Sequence, residues 1–161
     1  MTCLEAEGHT LAQHIKQLLS SEDLEVISAA IGDTEQSTSG EIRVSIREKR
    51  SRKEREMNIE KLARKEFKDL DMTNTRDRTG VLLFFLVETR QFYILADDGI
   101  HSKVQDGTWQ LIADIMSDHF SKQNFREGII QGVQAIAKAL SQHFPRKPDD
   151  TNELTNQVRI T

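Results

Sequence analysis

The segment from Thr79 to Ile100, TGVLLFFLVETRQFYILADDGI, constrains the fold more than any other part of the chain. Two apolar runs flank the polar residues Glu88 to Gln91, and this order of run, turn and run is the signature of a β-hairpin. The first run, Val81 to Val87, is apolar at every position. A strand with no polar face must be covered on both sides, so it belongs at the centre of a sheet between helix layers. The second run, Phe92 to Ala96, returns along the first and ends in Asp97-Asp98-Gly99. Upstream, Ile42, Val44 and Ile46 alternate with Glu41, Arg43 and Ser45, which predicts a half-buried strand from Glu41 to Arg47.

Between and around these strands the apolar period changes to that of helices. Leu11, Ile15, Leu18 and Leu19 repeat at helical spacing, and Ser20 with Asp23 forms a capping box opening a helix lined by Leu24, Ile27, Ala30 and Ile31. From Ser51 onward Ile59, Ala63, Phe67 and Leu70 form one stripe, the helix that crosses between the first two strands. Trp109, Ile112, Ala113, Met116 and Phe120 mark a further helix, and Ile129, Val133, Ile136, Leu140 and Phe144 another, stopped by Pro145. Gly128 and Gly132, four apart on that helix, are expected either to allow a close backbone approach or to be simply tolerated there. The whole reads as α/β, a three-layer α/β/α sandwich around a small mixed sheet. Residues 1–20 are expected to be a helical N-terminal extension, 21–145 the domain itself, and 146–161 a disordered acidic tail dispensable for folding.

The charge pattern narrows the function classes. Eleven Lys and Arg against five Glu between Arg43 and Lys68 give a local balance of +6 in a chain of net charge −4. A nucleic-acid or anionic-surface reading of that stretch competes with a solvated helix face. The second is favoured because charges of both signs share the helix and no aromatics interleave for base stacking. One cysteine, Cys3, excludes an intramolecular disulfide. The longest apolar run is too short to span a bilayer, and no apolar run follows a basic start, so a cytoplasmic protein that is not itself a membrane protein is expected. The motifs GxSxG, GxxxxGK[ST], HExxH, CxxC and the EF-hand loop are all absent.

Gly-Glu-Ile-Arg-Val at 40–44, Thr79-Gly80-Val81 opening the central strand, the Asp97-x-Gly99-Ile100 turn, Trp109 and the Phe125-x-x-Gly128 helix start together resemble the TPM domain family. The resemblance runs from roughly Leu24 to Phe144. That family takes in thylakoid-lumen photosystem-repair proteins, a receptor-associated animal membrane protein and many bacterial proteins. It implies the sandwich fold, calcium binding at acidic loops at one end of the domain, and for some relatives a weak acid phosphatase activity.

Topology predicts where chemistry would gather. A helix crossover makes the first two strands parallel and the hairpin reverses the third, so the third must end where the first two begin. Asp97, Asp98 and Gly99 are thereby drawn toward Gly40 and Glu41 and toward Asp77, Arg78 and Gly80. Glu41, Asp77, Asp97 and Asp98 are the expected ligands of a hard cation, Ca²⁺ or Mg²⁺, with Arg78, Gly80 and Gly99 in anion-binding or structural roles. One of Asp97 and Asp98 is expected to ligate and the other to cap the turn or the next helix. The competing expectation is that Asp98-Gly99 is only a turn and Arg78 simply neutralises Asp97. His101 is the histidine nearest this cleft, with proton transfer set against an exposed helix position. The leading functional reading is a monomeric divalent-cation-binding accessory domain acting through another protein, membrane-associated or free, without nucleic acid. The alternative is a metal-assisted phosphomonoester hydrolase.

Overall fold

The computed structural model describes the backbone of residues 2–3 and 15–161 and the side chains from Gln17 onward. Along the chain run β1 (Thr2–Cys3), α1 (Ile15–Leu18), α2 (Ser21–Thr34), β2 (Glu41–Arg47), α3 (Ile59–Asp69), β3 (Gly80–Leu86), β4 (Gln91–Ala96), α4 (Asp98–His101), α5 (Thr108–Ser121), α6 (Phe125–His143) and β5 (Arg159–Ile160). The sheet order is β1-β4-β3-β2-β5. β2 and β3 are parallel, while β4 runs antiparallel to β3. The all-apolar strand is therefore central, and Leu83 and Phe84, which point to opposite faces, are both fully buried.

Each face has its own core. Val81, Leu83 and Phe85 join Ile42, Val44 and Ile46 under α2, α5 and α6, while Leu82, Phe84 and Leu86 pack with Leu62, Ala63 and Phe67 of α3. Burying each such side chain stabilises the fold by about 1.5–3 kcal/mol, so the pleat alone commits the sheet to two covering layers. The helices begin where capping chemistry allows. Ser20 Oγ accepts from the Asp23 amide at 3.0 Å and Asp23 accepts from the Ser20 amide at 2.8 Å. The crossover helix starts only at Ile59, because Ser51 and Glu54 cap a separate 3₁₀ turn at Arg52–Glu54. A Cβ on Gly128 would stand 2.6 Å from Phe120 Cε1, and one on Gly132 2.5 Å from Met116 Sδ, so both glycines do serve the close α5–α6 packing.

Three expectations need correction. The acidic tail is not a free terminus: Arg159–Ile160 adds a parallel strand to β2, Val158 packs against the α2/α5/α6 core, and Leu154 against the α3 core. The open edge of β2 offers backbone groups that offset the entropy of ordering this segment. The first strand is not half-solvated either, since α3 and the tail cover its polar side and leave Glu41 and Ser45 buried. The N-terminal extension is not helical throughout, since Thr2–Cys3 pairs antiparallel with β4; among the described residues α1 runs Ile15–Leu18, and the expected helical position Leu11 lies outside them. No described helix is long and apolar enough to cross a membrane.

Candidate functional site

Three loops meet at the end of the sheet where β2 and β3 begin and β4 ends. The Glu41 amide donates to Thr79 O at 3.0 Å, the Asp97 amide to Gly80 O at 2.9 Å and the Gly99 amide to Arg78 O at 3.1 Å. Gly99 sits so close to the 77–78 backbone that a Cβ would collide with the carbonyl oxygens of Asp77 and Arg78. Close approach, rather than an unusual φ, is what calls for glycine here. A Cβ on Gly80 would meet Met72 O at 3.2 Å, so both glycines expected to have structural roles do admit neighbouring backbone.

The loops converge, but the four carboxylates have separate fates. Asp97 is buried and gripped by a two-pronged bond from Arg78, Nε to Oδ2 at 2.8 Å and NH2 to Oδ1 at 2.9 Å. Its Oδ1 also accepts from the Asp98 amide at 2.7 Å, making Asp97 the N-cap of α4. Asp98 points to solvent, with its carboxylate 3.7 Å from Arg78. Asp77 is exposed and held by Lys147 at 3.1 Å and Arg76 at 3.7 Å. Arg78 therefore neutralises Asp97, and of the Asp97/Asp98 pair it is Asp97 that caps. His101 is exposed at the end of α4.

Glu41 is different. It is only 3 % exposed; Oε1 accepts from the Glu153 amide at 2.8 Å, and Oε2 is buried without a hydrogen-bond partner. Burial pushes its carboxyl up to about 7, and Glu35, Glu153 and Asp150 add like charge in the same direction. Glu35 is raised by burial too, and its Oε1 is also buried and unpaired. The tail closes over this place: Glu153 accepts from the Arg76 amide at 2.8 Å, Asp149 pairs with Arg76 at 3.3 Å, and Asn156 donates to Glu35 at 3.4 Å. Glu35, Asp150 and Glu153 are the residues that sequence reasoning overlooked, because two of them lie in the segment read as disordered. Among the described residues no three His, Cys, Asp or Glu side chains are grouped closely enough to hold a metal ion as they stand. The donor set around Glu41 nevertheless suits a hard cation, being all oxygen with orphaned acceptors.

Part of the basic stretch forms an internal network. Glu66, fully buried on α3, accepts from Ser45 at 2.6 Å and Arg47 at 2.7 Å. Arg47 also reaches Glu54 at 3.1 Å, which Lys65 holds at 2.6 Å, while Arg50 pairs with Glu88 and Arg64 with Glu60. Arg47, Arg50, Arg64 and Lys65 are engaged in this way, while Lys49, Arg52, Lys53, Arg55, Lys61 and Lys68 stand exposed.

Comparison with known proteins agrees with this architecture. The BA42 protein from the psychrophilic bacterium Bizionia argentinensis, solved by NMR, is 35 % identical, superposes with a TM-score of 0.82, and is matched over 92 % of this chain and 99 % of its own. The N-terminal domain of a P. gingivalis protein shares the fold at 23 % identity, TM-score 0.63, over 79 % of each chain. So does the N-terminal domain of cg2496 from Corynebacterium glutamicum at 16 % identity, TM-score 0.58, over 88 % of this chain and 90 % of that one. No curated protein matches the chain in sequence. The family model of the TPM domain matches residues 14–139, and with the sheet order, the Gly99 turn and the likeness to BA42 this makes the chain a member of the TPM domain family.

Proposed function

We propose that this TPM domain is a divalent-cation-binding accessory domain that acts through a protein partner, with Ca²⁺ favoured over Mg²⁺ and Glu41 at the centre of the site. The observation that carries the reading is the buried Glu41 Oε2 without a partner, beside the equally orphaned Glu35 Oε1. A buried carboxylate left unpaired is costly, and a cation bound by oxygen ligands would satisfy both oxygens. Glu35, Asp150 and Glu153 are the remaining ligands we assign. Asp77 and Asp98 stay available at the rim, whereas Asp97 is withdrawn by its bond to Arg78. When bound, the ion supplies charge neutralisation, and the chain's own residues anchor the segment 149–156 over the end of the sheet.

The phosphohydrolase alternative finds less support. Arg78, the group suited to bind a phosphoryl oxygen, is already engaged by Asp97. The single thiol is compatible with a reducing cytoplasm as the working compartment. Titration of chelator-treated protein with Ca²⁺ tests the proposal. NMR shifts are expected first at Glu35, Glu41 and residues 150–156, and the Glu41→Gln variant should bind at least tenfold more weakly. Unchanged affinity in that variant, or shifts confined to 149–153, would remove Glu41 from the site and the proposal with it.

A further inference from the structure

The polar side of β2 carries Glu41, Arg43, Ser45 and Arg47, and three of the four have partners. Glu41 takes the Glu153 amide, and Ser45 and Arg47 bond Glu66. Arg43 has none: it is half-buried, no hydrogen bond or ion pair reaches it among the described residues, and its Nε is wholly shielded from solvent. Alongside, Arg159 of β5 pairs in register with Ser45, so its side chain joins the same face. Its Nε lies 3.5 Å from Glu66 Oε1, a carboxylate already bonded to Ser45 and Arg47, and the rest of its guanidinium has no other described partner. Arg43 and Arg159 are close enough for their like charges to oppose one another, and Glu66 offsets this only in part.

Charge and geometry then define what is missing. Arg47, Lys65 and Arg159 pair with Glu54 and Glu66, and Arg43 lies within electrostatic reach of Glu66, so four cations meet two carboxylates, an excess of two positive charges in a partly shielded place. An unpaired guanidinium at such a site is unfavourable, and its planar fork matches tetrahedral oxyanions through paired N–H bonds. An excess of two charges suits a dianion better than a carboxylate. We propose that Arg43 and Arg159 form a binding site for a dianionic tetrahedral oxyanion, inorganic phosphate or the phosphate group of a small metabolite, at the β2–β5 edge. The site is separate from the cation site around Glu41 and does not depend on it.

The full chain in phosphate-free buffer, titrated with inorganic phosphate and followed by the Arg Nε–Hε resonances, provides the test. Saturable shifts of Arg43 and Arg159 are expected, with sodium chloride at matched ionic strength and sodium acetate producing neither. Arg159→Gln should weaken binding at least tenfold, as should Arg43→Gln. Phosphate should raise the melting temperature of the wild type but not of Arg43→Gln, which without phosphate should melt no lower than the wild type because it loses an unpaired charge. A merely structural arginine would give the opposite, a variant that melts lower with or without phosphate. Acetate shifts equal to those of phosphate, or undiminished phosphate affinity in Arg159→Gln, would overturn the assignment. The exposed edge position of β5 keeps the second variant informative if Arg43→Gln does not fold.

Discussion

The Glu153 amide donates to Glu41 Oε1 at 2.8 Å, tying the C-terminal segment to the first residue of β2 across 112 positions of sequence. Together with β5, Leu154 and Val158, that bond makes the tail part of the domain. Truncation after Lys147 is therefore expected to destabilise the protein measurably. A loss of about 2–3 kcal/mol corresponds to a fall of roughly 4–12 °C in a domain of this size. Thermal unfolding of the shortened chain checks this, and an unchanged midpoint would mean that the tail contributes nothing.

The four expected cation ligands can be separated by mutation. Asp97→Asn breaks the charge-assisted fork from Arg78 and weakens the cap of α4, which should lower stability by about 1–3 kcal/mol. Its Ca²⁺ affinity should stay within a few-fold of wild type, whereas Glu41→Gln should lose binding while remaining folded. Calorimetric titration of the two variants side by side decides it: a tenfold loss in Asp97→Asn would restore Asp97 as a ligand.

What was legible in the sequence was whatever depends on neighbours in the chain. The strand at Glu41–Arg47, the unbroken apolar run of β3 and the Ser20–Asp23 box rest on local patterns, and the structure forms all three, although the burial of β2 does not alternate. Glu66 and Glu41 were not legible as buried residues, because a charged residue on a polar stripe looks solvated until something else in the fold covers it. In each case the cover is non-local, Ser45 and Arg47 of β2 for Glu66 and the tail for Glu41. β5 could not be foreseen for the same reason, since its two residues carry no period and gain their structure only from the edge of β2. The loops of the candidate site were placed correctly by topology alone. Which carboxylate stays free depended on where one guanidinium points, which sequence does not specify.

Gly99→Ala tests the convergence of loops directly. The added methyl meets the carbonyls of Asp77 and Arg78, both backbone groups that cannot turn away, so the β3 and β4 ends must separate. A stability loss of about 2–4 kcal/mol is expected, with exchange protection falling at the Asp97 and Gly99 amides. Near-wild-type stability with both amides still protected would show that the contact is looser than the packing indicates.

Acid stability gives the last test, through Glu54. This carboxyl is buried and held down to about 2 from an ordinary 4.5, chiefly by Lys65, whose Nζ lies 2.6 Å away, and further by the Ser51 cap and Arg47. Because the native state binds this proton less readily than the unfolded chain, the contribution to stability is complete above pH 4.5 and is lost as pH falls from there toward 2. Lys65 is half-exposed, which screens part of the attraction, so about 1–3 kcal/mol is the expected size rather than the full shift. Glu54→Gln should accordingly be less stable than wild type at pH 7, and the gap should narrow steadily between pH 4.5 and 2 as the wild type alone loses this term. Urea unfolding of both proteins across that window measures the gap, and two curves that stay parallel to pH 2 would show that Glu54 holds no depressed charge in the folded protein.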